Sequence, residues 1–323
     1  MNRLIALVLV ALTSGAATSP SVQQRVSGAR DVRLIGRWDI TVTTPTGNAP
    51  SWLEIDSSGR EALVGRIVGI VGSTRPISEI IVEGGSFRFA VPRQWENGNG
   101  ELRVTGRLQG NRLVGSMTFP DNSTANWQGV RAPRLLERAR EPAWGAPINL
   151  LNRNDLNGWV PMGSPNQWVV RNGVLSSPRS GVNLRTARTF GDFKLHVEFR
   201  YPRESNSGVY LRGRHEVQIE DDYGREPDSH RFSGVYGFLP PSEIAALPAG
   251  QWQTFDITLV GRMVTVVANG KMVICNREIP GITGGAIDSN EGAPGPLYLQ
   301  GDHGPVEFRN IVVTAVRESV PRR

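Results

Sequence analysis

The feature that most limits the fold of this chain is a recurring pattern of short alternating runs broken by tight-turn residues. "GELRVTGRLQGNRLVGSMTF", Gly100 to Phe119, is typical: apolar and polar residues alternate, and Gly-Asn interrupts them where a hairpin would turn. Long stretches with apolar residues at helical spacing are absent. With 37 glycines and 22 prolines among 323 residues, of which 39% are hydrophobic, the pattern predicts an all-β protein of many short strands.

Between Leu34 and Val130 the runs "LIGRWDITVTT", "SWLEIDSS", "ALVGRIVGIVG", "ISEIIVEGGSFRFAV", "GELRVTGRLQGNRLVGSMTF" and "TANWQGVRAP" follow one another directly. Immediate succession predicts consecutive hairpins, so residues 33–131 are expected to form a small antiparallel domain, a lipocalin-like or half-closed barrel. The Gly36-x-Trp38 start resembles the opening of lipocalin-like barrels, and Trp38 and Trp127 read as core plugs rather than ligand contacts. The charged, proline-flanked segment "RAPRLLERAREPAWGAP" marks a linker over 132–147, with a short helix Arg134–Arg140 ending before Pro142. Residues 148–317 read as a second, larger all-β domain of about nine runs. "RNG" and "ANGK" are hairpin signals there, and strands with one wholly apolar face suit two sheets packed face to face.

Other features narrow the setting. "MNRLIALVLVALTSGAATSP" has the layout of a secretory signal peptide over residues 1–17, which predicts an exported protein, periplasmic or secreted, without an integral membrane segment after its removal. Cys275 is the single cysteine, so internal disulfides are excluded; in the apolar run "KMVICN" it reads as a buried small hydrophobe. The net charge is +6, and all basic residues but Lys194 and Lys271 are arginines spread along the chain. That distribution gives no nucleic-acid footprint, although a few arginines suit bidentate contacts with an oxygen-rich ligand.

Three constellations could carry chemistry. In "NSGVYLRGRHEVQIEDDYG", Asn206 to Gly224, strand alternation puts Glu216, Gln218 and Glu220 on one face and Val217 and Ile219 on the other. The polar row faces solvent or a cleft, and its acids lie next to Arg212 and Arg214, a grouping that can perturb proton affinities. Glu216 and Glu220 are roughly 13 Å apart along a straight strand at ~3.3 Å per residue, too far for the ~5–5.5 Å of a retaining glycosidase pair. In "LQGDHGPVEFRN", Gln300, Asp302 and His303 end a strand before a Gly-Pro turn, and His303 is the strongest candidate for a general base. The long Gly- and Pro-rich loop Asp221 to Glu243, with Tyr223, His230 and Tyr236, suits the wall of a binding site. The four histidines form no metal-binding spacing.

With these residues in place, the region from about Ile148 to Val316 resembles the 3-keto-disaccharide hydrolase family, also described as 3-keto-glucoside 1,2-lyase/3-keto-2-hydroxy-glucal hydratase. The resemblance rests on "NLLNRNDLNGW", "FGDFKLHVEFRYPRESNSGVYLRGRHEVQIEDDYG", "VYGFLPPSE", "PAGQWQTFDITLVGRMVTVVANGKMV" and "GPLYLQGDHGPVEFRNIVV". It implies a concanavalin A-like β-sandwich, or jelly roll, with a sugar site on one sheet, and chemistry on glycosides oxidised at C3. The resemblance further implies Glu216 and His303 as base and acid in either order. Arg212 becomes a donor to the enolate or ketone, and Tyr210, Gln218, Asp221, Tyr223 and Gln300 become substrate-binding groups. No cofactor is expected, while His215, Glu220, Asp222 and "QGDHG" depart from the family pattern and the added acids leave room for a divalent metal. A non-catalytic carbohydrate-binding sandwich and an ordinary two-carboxylate glycosidase are the alternatives.

Overall fold

A computed structural model describes residues 31–135 and 142–317. The expected signal peptide and residues 136–140 of the expected linker helix lie outside them, and Arg134 and Leu135 belong to no regular element. Among the described residues, regular structure is β throughout except for one 3-10 turn, Val32–Leu34.

Eight strands come first: β1 (Gly36–Thr44), β2 (Gly47–Ser58), β3 (Ala62–Val68), β4 (Thr74–Glu83), β5 (Ser86–Pro92), β6 (Glu101–Gln109), β7 (Arg112–Thr118) and β8 (Thr124–Arg131). Each pairs with the next in antiparallel register, and β1 also pairs with β8, Val42 opposite Trp127, so the sheet closes completely. Alternation decides which residues fill it. Trp38, Ile40 and Val42 of β1 point inward with Phe87, Phe89, Val104, Met117 and Trp127. Gly106 gives the rings their room, because a Cβ there would come within 2.5 Å of Phe87 and 2.7 Å of Trp127. The interior is therefore a packed core, and both tryptophans are its plugs.

The remaining strands are β9 (Ile148–Asn149), β10 (Trp159–Pro161), β11 (Val169–Arg171), β12 (Val174–Ser177), β13 (Leu184–Phe190), β14 (Phe193–Arg200), β15 (Asn206–Leu211), β16 (His215–Glu220), β17 (Gln253–Val260), β18 (Met263–Ala268), β19 (Lys271–Glu278), β20 (Gly295–Leu299) and β21 (Val306–Ala315). They form a five-stranded sheet in the order β10-β13-β20-β15-β16, and an eight-stranded sheet in the order β11-β12-β21-β14-β17-β18-β19 with β9 beside β21. One apolar core joins the sheets: Val209, Leu211, Val217 and Ile219 from the first meet Phe199, Phe255, Leu195 and Phe308 from the second. Phe199 and Phe255 pack with ring centroids 4.6 Å apart.

Cys275 corrects one expectation, for it is exposed rather than buried. It lies on β19 at the margin of the larger sheet. Register shifts against β18 turn the consecutive residues Val273 and Ile274 inward and leave Cys275 outside.

The barrel and the second domain share a small apolar cluster. Trp52 and Val68 pack with Ile282, Ala286 and Phe238, and Trp52 meets Phe238 edge-on at 5.4 Å. Gly281 permits this approach, since a Cβ there would come within 2.2 Å of the Trp52 ring. Buried polar contacts accompany it: Ser289 Oγ donates to the Ile40 carbonyl at 2.6 Å, and Arg262 pairs with Glu291 where Asp39 also arrives.

Candidate active site

The outer face of the five-stranded sheet carries the polar row that alternation predicts. On β16, Val217 and Ile219 enter the core while Glu216 and Gln218 face the other way; both of the latter are only 3% exposed, so they are sheltered from bulk solvent. Across the sheet Tyr210 stands opposite both Glu216 and Tyr298, and Gly208 stands opposite Gln218. Gln300 joins this second row through its N–H, which donates to the Gly208 carbonyl at 2.9 Å. Gly208 makes the arrangement fit: a Cβ there would lie 2.2 Å from Glu216 Oε1, so the carboxyl leans into space that only glycine leaves.

Tyr210 Oη lies 2.8 Å from Glu216 Oε2 and 2.9 Å from the Gly284 carbonyl oxygen. A phenol has one hydrogen: given to Glu216 it favours the carboxylate, and given to the Gly284 carbonyl it leaves the Glu216 contact to a protonated carboxyl that donates to Tyr210. Burial favours the second. Removal from water raises Glu216 to about 8, against the opposing pull of Tyr210 and His303, so the group holds its proton at neutral pH. Tyr210 and Tyr298 stack at 4.1 Å and 9°, and burial raises both phenols, so both are neutral donors.

His303 and Asp302 form the exposed margin of the cluster. Asp302 Oδ1 is 2.5 Å from His303 Nδ1, and Asp302 Oδ2 accepts from Asn183 at 3.1 Å. The same Asn183 amide donates to Tyr298 Oη at 2.9 Å and accepts from the Gly301 N–H at 2.7 Å, tying the loop after β20 to the sheet. The hydrogen bond that His303 donates to Asp302 raises His303 above its ordinary value, assisted by the charges of Asp302 and Glu216 and opposed by burial. Burial alone would raise Asp302, but His303 and Asn183 outweigh it and hold the carboxylate low. With Nδ1 engaged, Nε2 is the nitrogen left to exchange a proton. Gln300 adds a buried side-chain oxygen without a partner in the fold.

The structure thus brings together Glu216, His303, Tyr210, Gln218 and Gln300. Arg212 is not with them. It occupies the β15–β16 turn with φ of 52°, and its guanidinium donates to the Gly261 carbonyl at the β17–β18 turn of the other sheet, near Asp192 and Glu291. Leu211 and Arg214 take up the turn's own backbone bonding, which swings residue 212 off the polar face. Asp221 and Tyr223 also lie elsewhere, around a cavity of about 840 Å³ at the far end of β16 with Glu204, Glu220 and Arg231. There Asp221 accepts from the Glu204 N–H at 3.0 Å, and Tyr223 is 61% exposed. Pairing of β15 with β16 is regular from Asn206 to Leu211, so no bulge draws Glu220 toward Glu216. His215 points into the core, where burial holds its imidazole well below its usual range and its Nδ1 lies 3.2 Å from the Gly281 carbonyl.

Sequence reasoning missed Asn183 and Tyr298. Tyr298 was detectable, because in "LYLQ" it shares the alternation of Gln300 while Leu297 and Leu299 enter the core. Asn183 had no signal, since it is far away in the chain. Among the described residues, no three His, Cys, Asp or Glu side chains converge as a metal cage would require, and no helix is long and apolar enough to cross a membrane.

Comparison with known proteins places this region in a family. Residues 146–314 match the 3-keto-alpha-glucoside-1,2-lyase-like domain, and the chain belongs to that family. It is therefore a carbohydrate-active protein. No curated protein matches the chain. Among solved structures, it is similar to two proteins of Parabacteroides distasonis ATCC 8503 proposed to be glycosyl hydrolases. One is 25% identical over 56% of this chain and 93% of that one, the other 18% identical over 53% and 94%, each with a TM-score of 0.46.

Proposed function

We propose that the protein is an exported enzyme that cleaves glycosides oxidised at C3, working on the outer face of a concanavalin A-like sandwich. The observation that carries this reading is the pairing of a proton-holding Glu216 with the Asp302–His303 pair on one sheet face. A C3 ketone acidifies the C2 proton, which His303 Nε2 removes. The electron pair passes to the ketone as an enolate and returns to form the C1=C2 bond, breaking the bond from C1 to the glycosidic oxygen. Glu216 gives its proton to that departing oxygen. Hydration reverses the roles: the Glu216 carboxylate takes a proton from water as oxygen bonds to C1, and His303 returns its proton to C2.

The supporting groups follow from their places. Asp302 fixes the His303 tautomer and stabilises the imidazolium, and Gln218 and Gln300 flank Gly208 where they can position sugar hydroxyls and the ketone oxygen. An ordinary retaining mechanism fits less well, because Glu216 and Glu220 stand four residues apart on one regular strand. The test is an assay of the purified protein on a 3-keto-glucoside and its unoxidised parent. Release of aglycone from the first alone is expected; turnover of the parent at a comparable rate would overturn the reading.

A further inference from the structure

A loop beside the polar sheet face packs on the barrel. Residues 233–236 run beside β16 opposite to β15, with the Gln218 N–H donating to Gly234 and the Tyr236 N–H donating to the Glu216 carbonyl at 3.1 Å. The same loop meets the barrel. His230 Nε2 lies 2.9 Å from Ser73 Oγ, and its ring packs edge-on against Tyr236 at 5.1 Å. Two glycines allow the close fit: a Cβ on Gly237 would come within 2.8 Å of Ser73, and one on Gly284 within 1.9 Å of the Gly72 carbonyl.

Ser73 belongs to a chain of polar contacts that holds the neighbouring barrel loop. Gln94 accepts from the Ser73 N–H at 2.8 Å and donates to its hydroxyl at 2.9 Å. The Gln94 N–H donates to Glu96 at 2.8 Å, and Glu96 is buried against Arg75 at 2.7 Å. Trp95 sits between these two anchored residues, yet it is 75% exposed, and it lies close enough to Tyr236 to act on its phenol. A large apolar ring kept bare on a firmly held loop contributes little to the barrel core and is available to a ligand.

Strand order gives its place relative to the chemistry. From β20 through β15 to β16 the groups run Tyr298, Tyr210, Glu216, and beyond the strand comes Tyr236, with Trp95 of the barrel loop beside it. Residues 233–236 run one strand spacing, ~4.8 Å, beyond β16, on the side away from β20 and the His303 that follows it. Glu216 faces the glycosidic oxygen, so whatever departs with that oxygen extends toward Trp95.

We propose that the barrel furnishes the leaving-group subsite of this cleft, with Trp95 as the platform against which the ring of the departing sugar or aglycone packs. This rests on the 3-keto-glycoside reading above. Sugar rings present a face of C–H groups that pack on an aromatic ring, and the anchored neighbours Gln94 and Glu96 hold the platform in place.

The test compares full-length wild type, Trp95→Ala and Trp95→Phe on two 3-keto-glucosides, one with a glucosyl and one with a methyl leaving group. Preference for the glucosyl substrate, as a ratio of kcat/KM values, is expected to fall about tenfold in Trp95→Ala through KM and to recover largely in Trp95→Phe. An unchanged ratio in Trp95→Ala overturns the subsite and leaves the proposed reaction standing. If the wild type turns over neither substrate, the reaction falls instead, and calorimetry with an unoxidised disaccharide decides the subsite: weaker binding by Trp95→Ala supports it, and equal binding overturns it.

Discussion

The two ends of β16 carry the same kinds of residue and do different things. At one end Glu216 is buried on the sheet face, shares a hydrogen with Tyr210, and responds to the charges of His303 and Asp302. At the other, Asp222 is tied to Arg231 and to the Phe232 N–H at 2.8 Å, and Asp221 caps the Glu204 N–H, so these acids fasten loops. Glu220 lies between them, half-buried, raised by burial and by Asp222, and accepting from Gln218 at 3.3 Å. Charge density along the chain is thus similar at both ends. What differs is whether the carboxyl keeps a proton beside a second proton carrier.

Substitutions should separate the ends sharply. His303→Ala and Glu216→Gln are each expected to lower kcat on a 3-keto-glucoside by ~10²–10⁴, while Glu220→Gln leaves it within a factor of about two. A full rate in either of the first two would erase the distinction between the ends. Gly208→Ala is next: the added methyl meets the Glu216 carboxyl and should cost ~10²-fold in kcat with the protein still folded by circular dichroism.

The pH profile sharpens the same contrast. Activity needs His303 neutral and Glu216 protonated, so kcat should rise as His303, raised above 6.5, loses its proton and fall as Glu216 does near pH 8. Asp302→Asn should move the rising limb to lower pH, because it removes the charge that raises His303.

Stability reads the loop-fastening end. Asp222→Asn should cost about 1–3 kcal/mol in urea unfolding, with turnover retained, because the charge is lost and one of the two oxygens that hold Arg231 and the Phe232 N–H becomes a donor. At the catalytic end the effect depends on pH. Folded Glu216 keeps its proton up to about pH 8, whereas in the unfolded chain it releases it near ~4.3, so wild-type stability falls as pH rises through that window. Glu216→Gln has no proton to lose, and its melting temperature should gain on the wild type between pH 5 and pH 8.5.

Much of the scaffold was legible because β-alternation is local. Trp38, Phe87 and Trp127 in the barrel, and Val217 and Ile219 on β16, take the faces that a period of two assigns them. Cys275 was misread because a register shift at a sheet margin cancels that period. Arg212 was misread because a turn residue with positive φ has no face to inherit from the strand. Asn183 and Trp95 were invisible, since only the folded chain sets them beside groups more than a hundred residues away.

The sequence by itself determined an all-β chain, the run of consecutive hairpins, the polar row Glu216-Gln218-Glu220, and the family to which residues 146–314 belong. All of these depend on neighbours in the chain. Only the tertiary structure decided that Glu216 is the member of that row which holds a proton, that Asp302 and His303 stand with it, and that the barrel packs on the loop beside β16. Proton affinity is set by exclusion of water and by nearby charges, and in this fold both come from strands and loops far apart in sequence.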